Sequence, residues 1–76
     1  MFKTKPETGD LLLDLDGDTL LVAEVKNFKD EAPPVNVALT GRDWWVTLQC
    51  VSGENSGNIF YDDNEGFASG YYHKVG

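Results

Sequence analysis

Asp14, Asp16 and Asp18 set three potential ligand side chains at alternate positions of this 76-residue chain. Alternating carboxylates are what a calcium loop uses. An EF-hand loop also needs Gly directly after the third acid and a closing Glu. Thr19 and Val25 stand at those two places, and Gly17 comes too early. The acidic run at 62–66, DDNEG, misses the same spacing. Both runs have the composition that tight turns select. One Cys and one His cannot complete a zinc site. No metal and no cofactor are expected, since no Gly-rich phosphate loop or nucleophile elbow occurs.

Cys50 and His73 are the one thiol and the one imidazole. Together they are the least that nucleophilic catalysis would require. Cys50 falls in phase with Trp44, Val46 and Leu48, which predicts a buried structural thiol. His73 lies among aromatics and Lys74 on what reads as the last strand. Carboxylates are plentiful, but nothing in the pattern builds a cleft that would raise the pKa of one of them. The expectation is a protein that is not an enzyme.

Charge narrows the partners. Thirteen Asp and Glu oppose six Lys and Arg, a net of -7. An acidic chain is repelled by nucleic acids and anionic membranes, so direct binding to either is not expected. A basic protein surface is the natural opposite. Residues 7–24 hold six acids and no base, and residues 54–65 hold four acids and no base. If loops gather both runs at one end, they make one negative face. Asp14, Asp16, Asp18, Asp62, Asp63 and Glu65 would then meet the partner as phosphate mimics. On this view, charge reversal at Asp62 and Asp63 affects binding more than folding.

The aromatics supply anchors. Trp44-Trp45 and Tyr71-Tyr72 are adjacent pairs, and neighbours on a strand face opposite ways. If Trp44 points inward, Trp45 points outward. Trp45 and Tyr72 are the expected partner anchors, because exposed Trp and Tyr dominate protein interfaces.

Strands and turns must position these groups. Apolar runs at 11–15 and 20–25 flank Asp16-Gly17, a strong hairpin signal. A two-residue turn there sets Leu15 opposite Asp18, Leu13 opposite Leu20 and Leu11 opposite Val22. Leu11, Leu13, Leu15, Leu20 and Val22 would share the core face. Leu12 and Leu21 would lie on the wet face, as contacts for something else. Continued alternation would bury Glu24 and Lys26, so a β-bulge is expected near Ala23-Glu24 to turn Val25 inward. Further strands are expected at 35–40, 44–51, 58–61 and 68–75. Loops are expected at 29–34, 52–57 and 62–66, and Gly70 marks a bulge or close approach. No window has a helical period.

This is one domain, residues 1–76, with 1–9 as a flexible lead-in. Five to six short strands predict an all-β fold, a small antiparallel sheet or an SH3-like barrel. One cysteine, no apolar leader and no run near the ~18 residues of a membrane span place it in the cytoplasm.

In size and charge the chain is similar to the small acidic proteins that phages make against host defences, such as anti-CRISPR proteins and DNA mimics. That resemblance implies an inhibitor that occupies the nucleic-acid-binding surface of a host protein, in the host cytoplasm. Two alternatives stand beside it. One is an SH3- or Tudor-like module that binds a peptide, with Trp45, Tyr61 and Tyr72 caging a cationic side chain. The other is a structural subunit, such as a virion component, that forms homo-oligomers through Leu12, Leu21 and Trp45.

Overall fold

The computed structural model describes residues 5–34, 37 and 39–75. The chain forms β1 (Leu11–Asp14), β2 (Thr19–Asn27), β3 (Trp44–Ser52), β4 (Ile59–Asp63), α1 (Asn64–Ala68) and β5 (Tyr72–Val75). The strands make one antiparallel sheet in the order β4-β3-β2-β1-β5. The sheet curls into a half-barrel, the all-β class that the strand spacing predicts.

The first hairpin forms where expected but in a different register. Leu12 pairs with Leu20 and Leu11 with Leu21. The cause is the turn. Asp14 N–H donates to the Asp18 carbonyl at 3.1 Å, which leaves a three-residue loop, Leu15-Asp16-Gly17. Gly17 takes the left-handed conformation this loop needs, with φ of 91°. A one-residue shift exchanges the faces of a strand. Leu12 is therefore fully buried, while Leu11, Leu13 and Leu15 are exposed. The expected inward set holds only for Leu20 and Val22.

The bulge in β2 is present. The pairing to β3 shifts between Val22 and Glu24, leaving Ala23 without a partner residue across the ladder. Val25 then returns to the inner face and packs on the core. In β3, Trp44, Val46, Leu48 and Cys50 face inward as the alternation predicts, and β3 is an interior strand. Trp45 points the other way and is nevertheless buried. Tyr61 lies against its ring, with centroids 6.1 Å apart, and its Nε1 donates to the Glu31 carbonyl at 2.8 Å. The segment after β2 thus covers a ring that the alternation left outside.

Three expected elements differ. The strand expected at 68–75 begins only at Tyr72, because Ala68 ends the helix that follows β4, and Gly70, with φ of 86°, turns the chain after it rather than marking a bulge or close approach. The strand at 35–40 falls partly outside the described residues. Val37, Leu39 and Thr40 are not in a strand, and Val37 N–H donates to the Pro34 carbonyl as in a turn. The loop expected at 62–66 instead leads into α1, a helix of five residues. Asp63 caps it, accepting a hydrogen bond from Gly66 N–H. One helical turn is too short to show a period in sequence. The part of the lead-in that is described is fastened. Pro6 is buried, Gly9 N–H donates to the Val22 carbonyl at 2.8 Å, and Lys5 Nζ donates to Asn27 Oδ1 at 2.9 Å.

The core lies on the inner face of the half-barrel. Leu12, Leu20, Val22, Val46, Leu48 and Cys50 line it. Phe67 of α1 closes the open side. Its ring stacks on Tyr72 at 4.5 Å and meets Trp44 edge-on at 5.2 Å. Among the described residues no helix is long and apolar enough to cross a membrane.

Candidate functional site: a cleft at the open seam

A half-barrel leaves two edge strands, here β4 and β5, that do not pair with each other. At the seam between them the first hairpin turn, the 53–58 loop and the start of β5 converge. They enclose a cleft of about 210 Å³. Asp14, Asp16, Asp18 and Leu20 form one wall, Asn55, Phe60 and Tyr61 a second, and Tyr71 and Tyr72 a third. Small-molecule sites usually measure ~300–1,000 Å³. This cleft has room for one large side chain rather than a nucleotide-sized cofactor.

The hairpin aspartates are ordered by the backbone. Asp14 Oδ1 accepts from Asp16 N–H at 3.0 Å and from Asp18 N–H at 2.9 Å. Asp18 reaches across to the 53–58 loop, accepting from Glu54 N–H at 3.1 Å and Asn55 Nδ2 at 2.7 Å. Gly53 makes this approach possible, because a Cβ there would collide with the Asp18 carboxylate. Asp14 and Asp18 are thereby buried, and Asp16 remains exposed at the rim.

The tyrosines bind the seam together. Tyr71 donates its hydroxyl to Asp16 at 2.5 Å, and Tyr72 donates to Asp62 of β4 at 2.5 Å. Their rings meet edge-on at 5.0 Å. Alternation suggests that one of the pair faces away. Tyr71 precedes β5, so that rule does not bind it, and both rings line the cleft.

The carboxylates hold the phenols protonated. The hydrogen bond to Asp16, then burial and the charges of Asp14, Asp16 and Asp18, push Tyr71 up to about 12. Burial and the bond to Asp62 push Tyr72 upward as well. A raised phenol pKa stabilises the fold fully below the ordinary value of 10.0, and that stability is lost as pH rises toward about 12. At the solvent-facing rim, screening keeps the contribution of Tyr71 small. Alkaline titration followed by phenolate absorbance should show a step near pH 12 that Tyr71→Phe removes. A wild-type protein in which every phenol ionises at its ordinary value would contradict the Asp16 contact.

The expected partner-binding residues divide. Asp14, Asp16, Asp18 and Tyr72 come together at the cleft, with Asp62 behind Tyr72. Asp63 does not join them. It is 3% exposed, and its carboxylate accepts from Gly41 N–H at 2.6 Å and Gly66 N–H at 3.0 Å. Glu65 is exposed in the first turn of α1 and accepts from Thr40 Oγ1 at 3.1 Å. Trp45 is 3% exposed and is therefore not an exposed anchor. Tyr71, Phe60 and Asn55 belong to the cleft, and the alternation pattern does not single them out. The doubled tyrosine is their one visible signal in the sequence.

Cys50 lies in the core, where burial raises its thiol pKa, followed in effect by the charge of Asp18. His73 is exposed on β5 opposite Leu13, on the other face of the sheet. Among the described residues no group of three or more His, Cys, Asp or Glu is placed to hold a metal ion. Comparison with protein-family models, with curated proteins and with solved structures gives no match.

Proposed function

We propose that this protein is a small non-enzymatic interaction module that engages a basic partner surface by taking a cationic side chain into the seam cleft. The observation that supports this is the meeting of three aspartates with three tyrosines and a phenylalanine around one side-chain-sized space. Aromatic faces and carboxylates both favour a cation, the first through the ring quadrupole and the second through charge. The net charge of -7 steers basic partners toward the molecule.

The reading differs in emphasis from a phosphate mimic. Asp14, Asp18 and Asp63 are buried and bonded to backbone amides, so they are not displayed as a row of surface phosphates. Asp16 is the rim carboxylate that an incoming Lys or Arg would meet first. Partners of the nucleic-acid-binding kind remain natural, because they present Lys and Arg in number.

Amide chemical shifts during titration with short Arg-rich and Lys-rich peptides test the proposal. The expected shifts concentrate at residues 14–18, 55, 60 and 71–72. Affinity should fall as salt rises. Asp16→Lys should weaken binding by about 10–100-fold, the size of a lost charge-assisted bond. Shifts spread over the whole acidic surface, with no response to Asp16→Lys, would reject the cleft.

A further inference from the structure

We infer that the open edge of β4 takes an extended basic peptide as an added antiparallel strand, with one Arg or Lys of that peptide in the seam cleft. This rests on the reading of the cleft as a cation site and names the kind of chain that carries the cation. β4 ends the sheet, and among the described strands nothing pairs with its far side. The β3–β4 turn fixes which main-chain groups face that side. Cys50 N–H donates to the Asn58 carbonyl at 2.9 Å, and Gly57 N–H donates to the Cys50 carbonyl at 2.9 Å. Hydrogen-bonded pairs recur at every second residue of an antiparallel ladder, so the next are Leu48 with Phe60 and Val46 with Asp62. The main-chain groups of Ile59, Tyr61 and Asp63 then point away from β3. Asp62 Oδ1 accepts from Asp63 N–H at 2.8 Å and closes that end of the edge. Ile59 and Tyr61 turn their N–H and carbonyl groups toward the seam, where two residues of an incoming strand can pair with them.

The cleft reaches this edge. Phe60 stands opposite Leu48 of the inner face, whereas Tyr61 stands opposite Thr47 and lays its ring against Trp45 on the outer face. Neighbours on opposite faces of a strand both line one cleft where the strand turns its edge to it. An added strand keeps the alternation. Its residues beside Ile59 and Tyr61 exchange main-chain bonds with β4 and point outward. The residue between them, beside Phe60, points inward to the wall of Asp14, Asp16 and Asp18. Main-chain bonds then supply affinity and the one inward side chain supplies specificity. Edges are commonly guarded by Lys or Pro, and Ile59–Asp63 contains neither.

Charge selects both the edge and its occupant. Residues 43–73 hold five acids and no Lys or Arg. β5, the other edge of the sheet, carries Lys74. A basic peptide therefore finds its complement at β4. A second copy paired edge to edge would set its own acidic cleft against this one, like charge to like.

Titration with a capped pentapeptide, Arg at its centre and Thr and Val around it, tests this through amide hydrogen exchange. With peptide at about 100 times its dissociation constant, the Ile59 and Tyr61 amides should exchange roughly 100-fold more slowly, since only unbound protein exchanges there. Methylating the peptide nitrogens on both sides of Arg removes the donors to β4 and should weaken binding by at least about 10-fold. Methylating the Arg nitrogen, which faces away from β4, should leave binding nearly unchanged. Ile59→Pro deletes one edge N–H at the first residue of the strand, where proline is tolerated. Its circular dichroism should match the wild type while its peptide affinity falls. Butylguanidinium has the cation and no peptide backbone, so it should shift the cleft residues equally in wild type and Ile59→Pro. Equal affinity of the three peptides, with butylguanidinium still at the cleft, would overturn the added strand and leave the cation reading standing. Protection of Ile59 and Tyr61 that survives replacement of the peptide's Arg by norleucine would sink the cation reading and the basic occupant with it. Slow exchange at both amides without peptide, at a sedimenting mass near twice 8.4 kDa, would give the edge to a second copy and overturn the inference.

Discussion

Replacing Phe67 with alanine is expected to remove a large share of the stability of the fold. The Phe67 side chain is 1% exposed and joins Trp44 of β3 to Tyr72 of β5. Deleting a buried phenyl ring costs about 3–5 kcal/mol, lost transfer energy plus the cavity left behind. A chain of this length has about 4–11 kcal/mol in all. The loss falls where it is hardest to relax. α1 is one turn long, and Phe67 is its one buried residue, so nothing else buried on the helix holds it in place. Without the ring, Tyr72 loses its stacking partner, and the cleft wall it forms loses its support. Urea denaturation and near-ultraviolet circular dichroism measure the outcome. Phe67→Leu keeps most of the volume and should fold with a smaller loss. An alanine variant with an unchanged urea midpoint would show that α1 does not close the half-barrel.

The second large effect is expected at Asp63. Alanine there removes both the helix cap and the acceptor of the buried Gly41 amide. Cap loss costs about 0.5–2 kcal/mol and an orphaned buried donor about 1–3 kcal/mol, so a combined loss of about 2–4 kcal/mol is expected. Thermal melts of Asp63→Ala and Asp63→Asn measure it. Asparagine keeps one acceptor oxygen and should recover part of the loss. Equal stability of wild type and both variants would rule out the capping role. This result bears on the choice of binding probes. Charge reversal at Asp63 is a folding change, contrary to what the acidic run alone suggests. Asp16, exposed at the cleft rim, is the residue whose reversal reports on binding.

The contrast between those two aspartates shows how far the chain can be read without coordinates. Alternation locates β3 and identifies its inward residues, because Trp44, Val46, Leu48 and Cys50 put an apolar side chain at every second position while Thr47 and Gln49 mark the other face. It also locates the bulge, since unpaired Glu24 and Lys26 could not enter the core. The first hairpin shows the limit. Asp-Gly announces a turn but does not set the loop length. Here the Asp14 carboxylate binds the Asp16 and Asp18 amides and holds a three-residue loop. That side-chain choice moves every leucine of β1 to the opposite face. Trp45 departs from expectation for another reason. Alternation gives the direction of a side chain but not what lies over it, and the cover comes from Glu31, far along the chain. The cleft needs three segments brought together by β5 pairing with β1, a contact with no local signature.

That last pairing also orders the folding of the molecule. β1–β2, β2–β3 and β3–β4 join neighbours in the chain, whereas β5 pairs with β1 and sets Val75 beside Leu11. Closing so long a loop is entropically costly until the strands between are in place. β5, with four residues at an edge, is therefore expected to dock last and to fray first. Tyr71 and Tyr72 arrive with it. A form in which β5 has not docked lacks the Tyr71–Tyr72 wall, so a ligand held in the cleft would act as a clamp on that step of folding.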